Sequence, residues 1–206
     1  MSTTATTIII VTWLILTGVT GAALCRAGYW RHAARRLGAA LHAATDAARR
    51  DPLTGLGNRA GFLHTIAGAR PGALILLNLD ATTGCRELLG DRLFDQLLVI
   101  LAGRLTHGAE VTAGRVFRLR RDEFAVLTEQ PPEPLAARLL AAIAEPADLR
   151  HPLEVTVSVT ACAGVVHRPA ARTALRHADA ALRTAKRGGP GRTVVFAPGP
   201  RQADGR

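Results

Sequence analysis

The sequence predicts an α/β (α+β) domain, one mixed sheet with packed helices, preceded by a single transmembrane helix. Three observations carry that expectation. From residue 51 to residue 197, short apolar runs alternate with longer stretches of helical periodicity. Of the 206 residues, 48% are hydrophobic, enough to fill a core under such a sheet. Residues 1–25 hold no charged side chain.

The N-terminal run "TIIIVTWLILTGVTGAALC" (residues 7–25) is long enough to cross a hydrocarbon core of about 30 Å as a helix. Arg26, Arg31, Arg35 and Arg36 follow it, which places the C-terminal side in the cytoplasm of a single-pass cell-membrane protein. A cleaved signal peptide is the rival reading, but no Lys or Arg precedes the run. Tyr29 and Trp30 suit an interfacial belt. Residues 26–50 read as a cytoplasmic linker helix, with Leu37, Leu41 and Ala44 at helical spacing. That helix could form a homodimer with its copy or rest on anionic headgroups.

Asp51 and Pro52 stop the linker helix, because a residue before proline avoids the helical region. A turn and a helix capped by Asn58 come next. "GALILLNLD" (72–80) is a continuous apolar run, hence a buried strand. Residues 84–106 are helical, and "RVFRL" (115–119) and "EFAVL" (123–127) form a hairpin. A helix over 134–145 ends at Pro146. Residues 153–166 read as one strand with Val155, Val157 and Val159 alternating. An amphipathic helix (171–187) and a last strand (192–197) complete the domain, taken as 51–197. Residues 198–206 read as a disordered tail.

The net charge of +10 suggests an anionic partner such as nucleotide or lipid. Nucleic acid fits poorly, because no aromatic residues are interleaved with the arginines for base stacking. Cys25, Cys85 and Cys162 are scattered, with no C-x-x-C pair, which argues against zinc and for a reducing compartment. The histidines are dispersed, and neither a Ser/His/Asp set nor a P-loop is present.

Four stretches then stand out in order: "DPLTGLGNR" (51–59), "LLNLD" (76–80), "RLRRDEF" (118–124) and "ADAALRTAKRGG" (178–189). Together they resemble the GGDEF domain family, the diguanylate cyclases of bacterial signalling. The resemblance implies a ferredoxin-like, nucleotide-cyclase-type sheet. It also implies condensation of two GTP into cyclic di-GMP between two facing domains, with Mg²⁺ held by carboxylates.

Residue by residue, the resemblance is incomplete. The family's Gly-Gly-Asp/Glu-Glu-Phe turn reads Arg120-Arg121-Asp122-Glu123-Phe124 here. Asp122 falls on the metal-ligand position and Glu123 on the adjacent catalytic carboxylate, while both glycines are replaced. Asn78 stands where the family's first metal-binding Asp belongs, and Thr82-Thr83 replace Phe-Lys. Arg86 falls on the guanine-reading Asn, and Asp95 on its retained partner. Gly90-Asp91 replaces Gly-His. Lys186 matches the phosphate-binding lysine, and Pro190 replaces the basic residue after it. The Arg-x-x-Asp product-inhibition motif is missing, since that window reads Val111-Thr112-Ala113-Gly114.

Arg120 and Arg121 therefore pose the central question. They are either drift on an exposed turn or a site for phosphate, nucleotide or an acidic partner. On the drift reading, replacing both with glycine leaves the domain equally or more stable. The substitutions favour a catalytically impaired domain acting by nucleotide or protein binding. An active cyclase and a purely structural module are the rivals.

Overall fold

The computed structural model describes residues 3–69, 71–150 and 154–197. The expected tail, 198–206, lies outside the described residues. The chain divides into two compact units, Met1–Ala48 and Arg49–Arg206.

The first unit is one helix, α1 (Thr3–Ala48), running through both the uncharged segment and the linker. Among the described residues, no helix is long and apolar enough to cross a membrane. Most side chains of 7–25, where the anchor is expected, lie outside the described residues.

The second unit opens with a tight turn. Asp51 accepts from the Thr54 amide (2.9 Å) and hydroxyl (2.7 Å), and Gly55 takes φ +72°. Asn58 caps α2 (Arg59–Gly68) by accepting from the Gly61 amide at 3.0 Å, as its residue type led one to expect. Then follow β1 (Ala73–Leu79), α3 (Thr82–Glu110), β2 (Arg115–Arg118), β3 (Glu123–Thr128) and α4 (Pro132–Ala144). The remaining elements are β4 (Ala147–Arg150), β5 (Glu154–Val157), β6 (Ala161–His167), α5 (Ala174–Arg187) and β7 (Thr193–Val195).

The main sheet has the order β2-β3-β1-β6-β7. Its first four strands are antiparallel and belong to a β1-α3-β2-β3-α4-β6 unit, the split ferredoxin-like arrangement. β7 adds in parallel to β6, which makes the sheet mixed. Alternation along β1 separates two cores. Ile75, Leu77 and Leu79 face the layer of Leu97, Leu101, Leu135 and Leu139 from α3 and α4. Leu74 and Leu76 pack with Phe62 of α2 and Ala178 and Leu182 of α5.

The strand expected over 153–166 is two strands. β5 pairs with β4 in a separate ribbon, whereas β6 pairs with β1 and β7. A period of two residues reports which face a side chain takes, and carries nothing about which partner the backbone finds. β4, which begins just after Pro146, was not anticipated. The helix expected over 84–106 is longer and breaks at Gly90, where φ is +73° and ψ 164°. Only glycine adopts that backbone without strain.

α5 lies directly on the backbone of β6. A Cβ on Gly164 would come 2.2 Å from the Ala178 carbonyl oxygen and 2.6 Å from the Leu182 nitrogen. This close approach carries the C-terminal end of α5, with Lys186, to the end of β1.

Candidate functional site

Four pieces of chain meet at the C-terminal end of β1: the β2–β3 turn, the first two turns of α3, the end of α5 and the loop after it. Asn78 sits between Glu123 on β3 and Cys162 on β6 in the register of the sheet. Its amide bridges two of these pieces. Asn78 Nδ2 donates to the Asp122 carbonyl at 3.4 Å, and Asn78 Oδ1 accepts from Lys186 Nζ. Lys186 also donates to the Leu79 carbonyl at 3.3 Å. The Asp122 carboxylate accepts from Thr82 Oγ1 at 2.8 Å. Asp80 is a structural tie, accepting from Thr160 Oγ1 (2.8 Å) and the Gly191 amide (3.2 Å).

The turn itself is closed by a third arginine that the sequence did not single out. Arg118 donates from Nη1 to Asp51 at 2.9 Å, and from Nε and Nη2 to the Arg121 carbonyl at 3.2 and 2.8 Å. Arg120 and Arg121, equivalent in sequence, part ways here. The Arg120 side chain is 72% exposed and passes 3.9 Å from Glu123. Arg121 lines a cleft of about 620 Å³ together with Thr82, Thr83, Arg86, Asp91 and Asp122. Neither arginine has positive φ, for among the described non-glycine residues only Ala81, Ala113 and Arg168 do. The turn thus has no conformational need for glycine. This removes the ground for expecting a gain from the double glycine variant, which is instead expected to lose roughly 0.5–1 kcal/mol per residue to chain entropy.

Arg86 is held by Asp91 at 2.6 Å on the wall of the cleft. That pair closes across the break at Gly90. The bond from Arg86 keeps the Asp91 carboxyl below its ordinary range, and the nearby Arg121 adds to the effect. Asp95 is exposed and is not among the residues lining the cleft. Thr83 and Asp91 were visible in sequence only as departures from a motif. Arg118 carried no signal, because nothing in "RLRRDEF" tells a structural arginine from its neighbours.

Glu123 is 17% exposed. Burial pushes its carboxyl above the ordinary range. Asp179 and Asp122 push the same way, against Arg120 and Arg59. An acid whose folded pKa is raised costs the fold stability above that pKa and costs nothing once both states are protonated. Glu123→Gln is therefore expected to raise the melting temperature at pH 7.5, and the gain should fade as pH falls through the raised folded value and be gone by about pH 4. Paired thermal melts at the two pH values check this. A gain that persists in acid would assign it to packing instead.

Mg²⁺ calls for near-octahedral oxygen ligands, usually with one or two carboxylates. At the end of β1 the oxygens of Asn78 and Leu79 already face Lys186, and Asp122 faces Thr82. Among the described residues, no group of three or more His, Cys, Asp or Glu could hold a metal ion. As arranged, this corner does not fit a resident divalent cation.

A split ferredoxin-like sheet with a carboxylate-bearing hairpin turn beside the end of β1 is the frame of a nucleotidyl-cyclase-type domain. The family model for the diguanylate cyclase GGDEF domain matches residues 48–192, and the chain belongs to that family. No curated protein matches the chain. Among solved structures, diguanylate cyclase SiaD in complex with its activator SiaC from Pseudomonas aeruginosa is 25% identical, with a TM-score of 0.67. That match covers 92% of this chain and 79% of the other. The GGDEF domain of YfiN from the same organism is 27% identical, with a TM-score of 0.63, over 72% of this chain and 94% of that one. The coiled coil and GGDEF domain of DgcB from Caulobacter crescentus, in complex with c-di-GMP, matches at 24% identity and a TM-score of 0.69. It covers 83% of this chain and 97% of the other, and shows the likeness of fold.

Proposed function

We propose that this chain is a membrane-anchored GGDEF-type domain of cyclic di-GMP signalling whose own cyclase chemistry is suppressed, and that it acts by binding. Its ligand is a guanine nucleotide, GTP or cyclic di-GMP, or a protein partner. The observation that carries this reading is the pairing of Asn78 with Lys186. Where a cyclase needs an anionic metal ligand, this chain has a neutral amide already engaged by an ammonium. The rest of the site is diverted in the same sense. Arg86, at the guanine-reading position, is paired with Asp91, and Thr82 occupies Asp122. Any Mg²⁺ would enter with the triphosphate. The c-di-GMP in the DgcB structure and the activator bound to SiaD support the two kinds of partner.

Calorimetric titration of the full chain with GTP and cyclic di-GMP, with and without Mg²⁺, tests the reading. Binding without turnover supports it. Robust turnover would restore the active cyclase. Failure of both nucleotides to bind, with no protein captured, would leave a purely structural module.

The location forms part of the same proposal. The uncharged residues 1–25 followed by arginines support a single-pass anchor in the cell membrane, with the domain in the cytoplasm. Tyr29 and Trp30, both exposed on α1 with their rings edge to face at 5.6 Å, suit the headgroup level. Leu37 and Leu41 are exposed one turn apart and offer a face to a second copy. The chain is expected in the membrane fraction, with a C-terminal reporter active only in the cytoplasm. A mature N-terminus near Arg26 would rule out the anchor.

A further inference from the structure

The corner at the end of β1 contains its own cation. Three hard oxygen ligands lie at this corner: the Asn78 amide oxygen and the Leu79 carbonyl, which share one partner, and the Asp122 carboxylate on the adjoining turn. A divalent ion would use such a set. Instead, Lys186 Nζ donates to the first two, and Thr82 Oγ1 donates to the third at 2.8 Å. The amide at position 78 serves both neighbours at once, because its nitrogen donates to the Asp122 carbonyl while its oxygen accepts the ammonium. A carboxylate could not donate to that carbonyl. Asn78, Thr82 and Lys186 thus make one self-satisfied arrangement, reached from three different elements and held by the close seating of α5 on Gly164.

We propose that the Lys186 ammonium is the resident cation of this corner, in place of a protein-bound divalent ion, and that the nucleotide-free chain has no Mg²⁺ or Mn²⁺ site there. The inference rests on the GGDEF reading of the corner and deepens it. Lys186 is a positioning residue, and two of its three donors link α5 to β1. An ammonium and a dication compete for the same oxygens, so the lysine must leave before a metal can enter. A phosphate-bearing ligand is the species able to draw it away, since a charged oxygen is a stronger acceptor than an amide.

The test uses Mn²⁺ alone, titrated into the full chain without nucleotide and followed by the loss of the free-ion electron paramagnetic resonance signal. Parent, Lys186→Met and the double variant Asn78→Asp/Lys186→Met are compared, with thermal melts as the check on folding. The double variant is expected to gain a one-equivalent Mn²⁺ site at least tenfold tighter than any the parent shows. Its melting temperature should rise with Mn²⁺ while the parent's stays still. A one-equivalent, submillimolar site in the parent would overturn the proposal, and so would a folded double variant that binds no better than the parent. Should the double variant fail to fold, the parent titration decides alone. Since no nucleotide is present, failure here is separate from failure of the proposed function, which turnover would reveal.

Discussion

Incubated with GTP and Mg²⁺, the purified full chain is expected to form cyclic di-GMP about a thousandfold more slowly than an intact diguanylate cyclase assayed beside it. The argument runs through charges at defined positions. Asn78 removes one anion from the metal corner, and Lys186 spends its ammonium on the amide instead of a phosphate. Arg86 is committed to Asp91 on the cleft wall. A hydrogen bond to a charged group contributes roughly 1.5–3 kcal/mol, and each 1.36 kcal/mol off a barrier is about tenfold in rate. Two such losses therefore amount to about two to four orders of magnitude. Chromatographic quantification of the product measures the rate directly. Turnover equal to that of the intact enzyme would sink the prediction and, with it, the binding function proposed for the chain. Asn78→Asp alone should recover little, because Arg86 and Arg121 remain on the cleft.

Replacing Arg118 with alanine is expected to cost about 2 kcal/mol of folding stability, between the worth of an exposed ion pair and the cost of breaking a buried one. The Arg118 side chain is 10% exposed and that of Asp51 18%, so solvent does little to compensate. The substitution removes the ion pair with Asp51 and both bonds to the Arg121 carbonyl. Burial raises the Asp51 carboxyl, but the bonds from Thr54 and Arg118 outweigh it and hold the group below its ordinary range. A depressed carboxyl stabilises the fold above the unfolded value and loses that contribution as pH falls through the folded one. The cost of Arg118→Ala should therefore be full at pH 7 and shrink below the ordinary carboxylate range, near pH 4. Denaturant unfolding at pH 7 and pH 3 tests both halves. A loss of the same size at both pH values would show that the guanidinium acts by packing its stem and not through its charge.

Much of the scaffold was legible from local pattern. A continuous apolar run led to β1, Asn58 to the start of α2, and the apolar pairs flanking "RRDE" to the hairpin. Each of these depends on residues within a turn or two of one another, where spacing reports burial and backbone preference. The candidate site was legible in its positions. Asp122, Glu123, Asn78 and Lys186 were drawn from motifs, and the chain brings Asn78 and Lys186 into contact although 108 residues separate them.

What the sequence determined by itself was the order of most elements, the loss of the glycine pair and the loss of charge at position 78. What only the tertiary structure decided was partnership. Residues 153–166 read as one strand, with Val155, Val157 and Val159 alternating, yet the chain changes sheets within them, because side-chain pattern sets a strand's face while backbone hydrogen bonds set its neighbour. Arg118, Arg120 and Arg121 are chemically identical. One is half-buried against Asp51, one points into solvent, and one lines the cleft, because each meets a different surface once β3 has paired with β1. The cation at the end of β1 was decided in the same way. A lysine and an asparagine far apart in sequence became one hydrogen-bonded unit only when α5 settled on the bare backbone of Gly164.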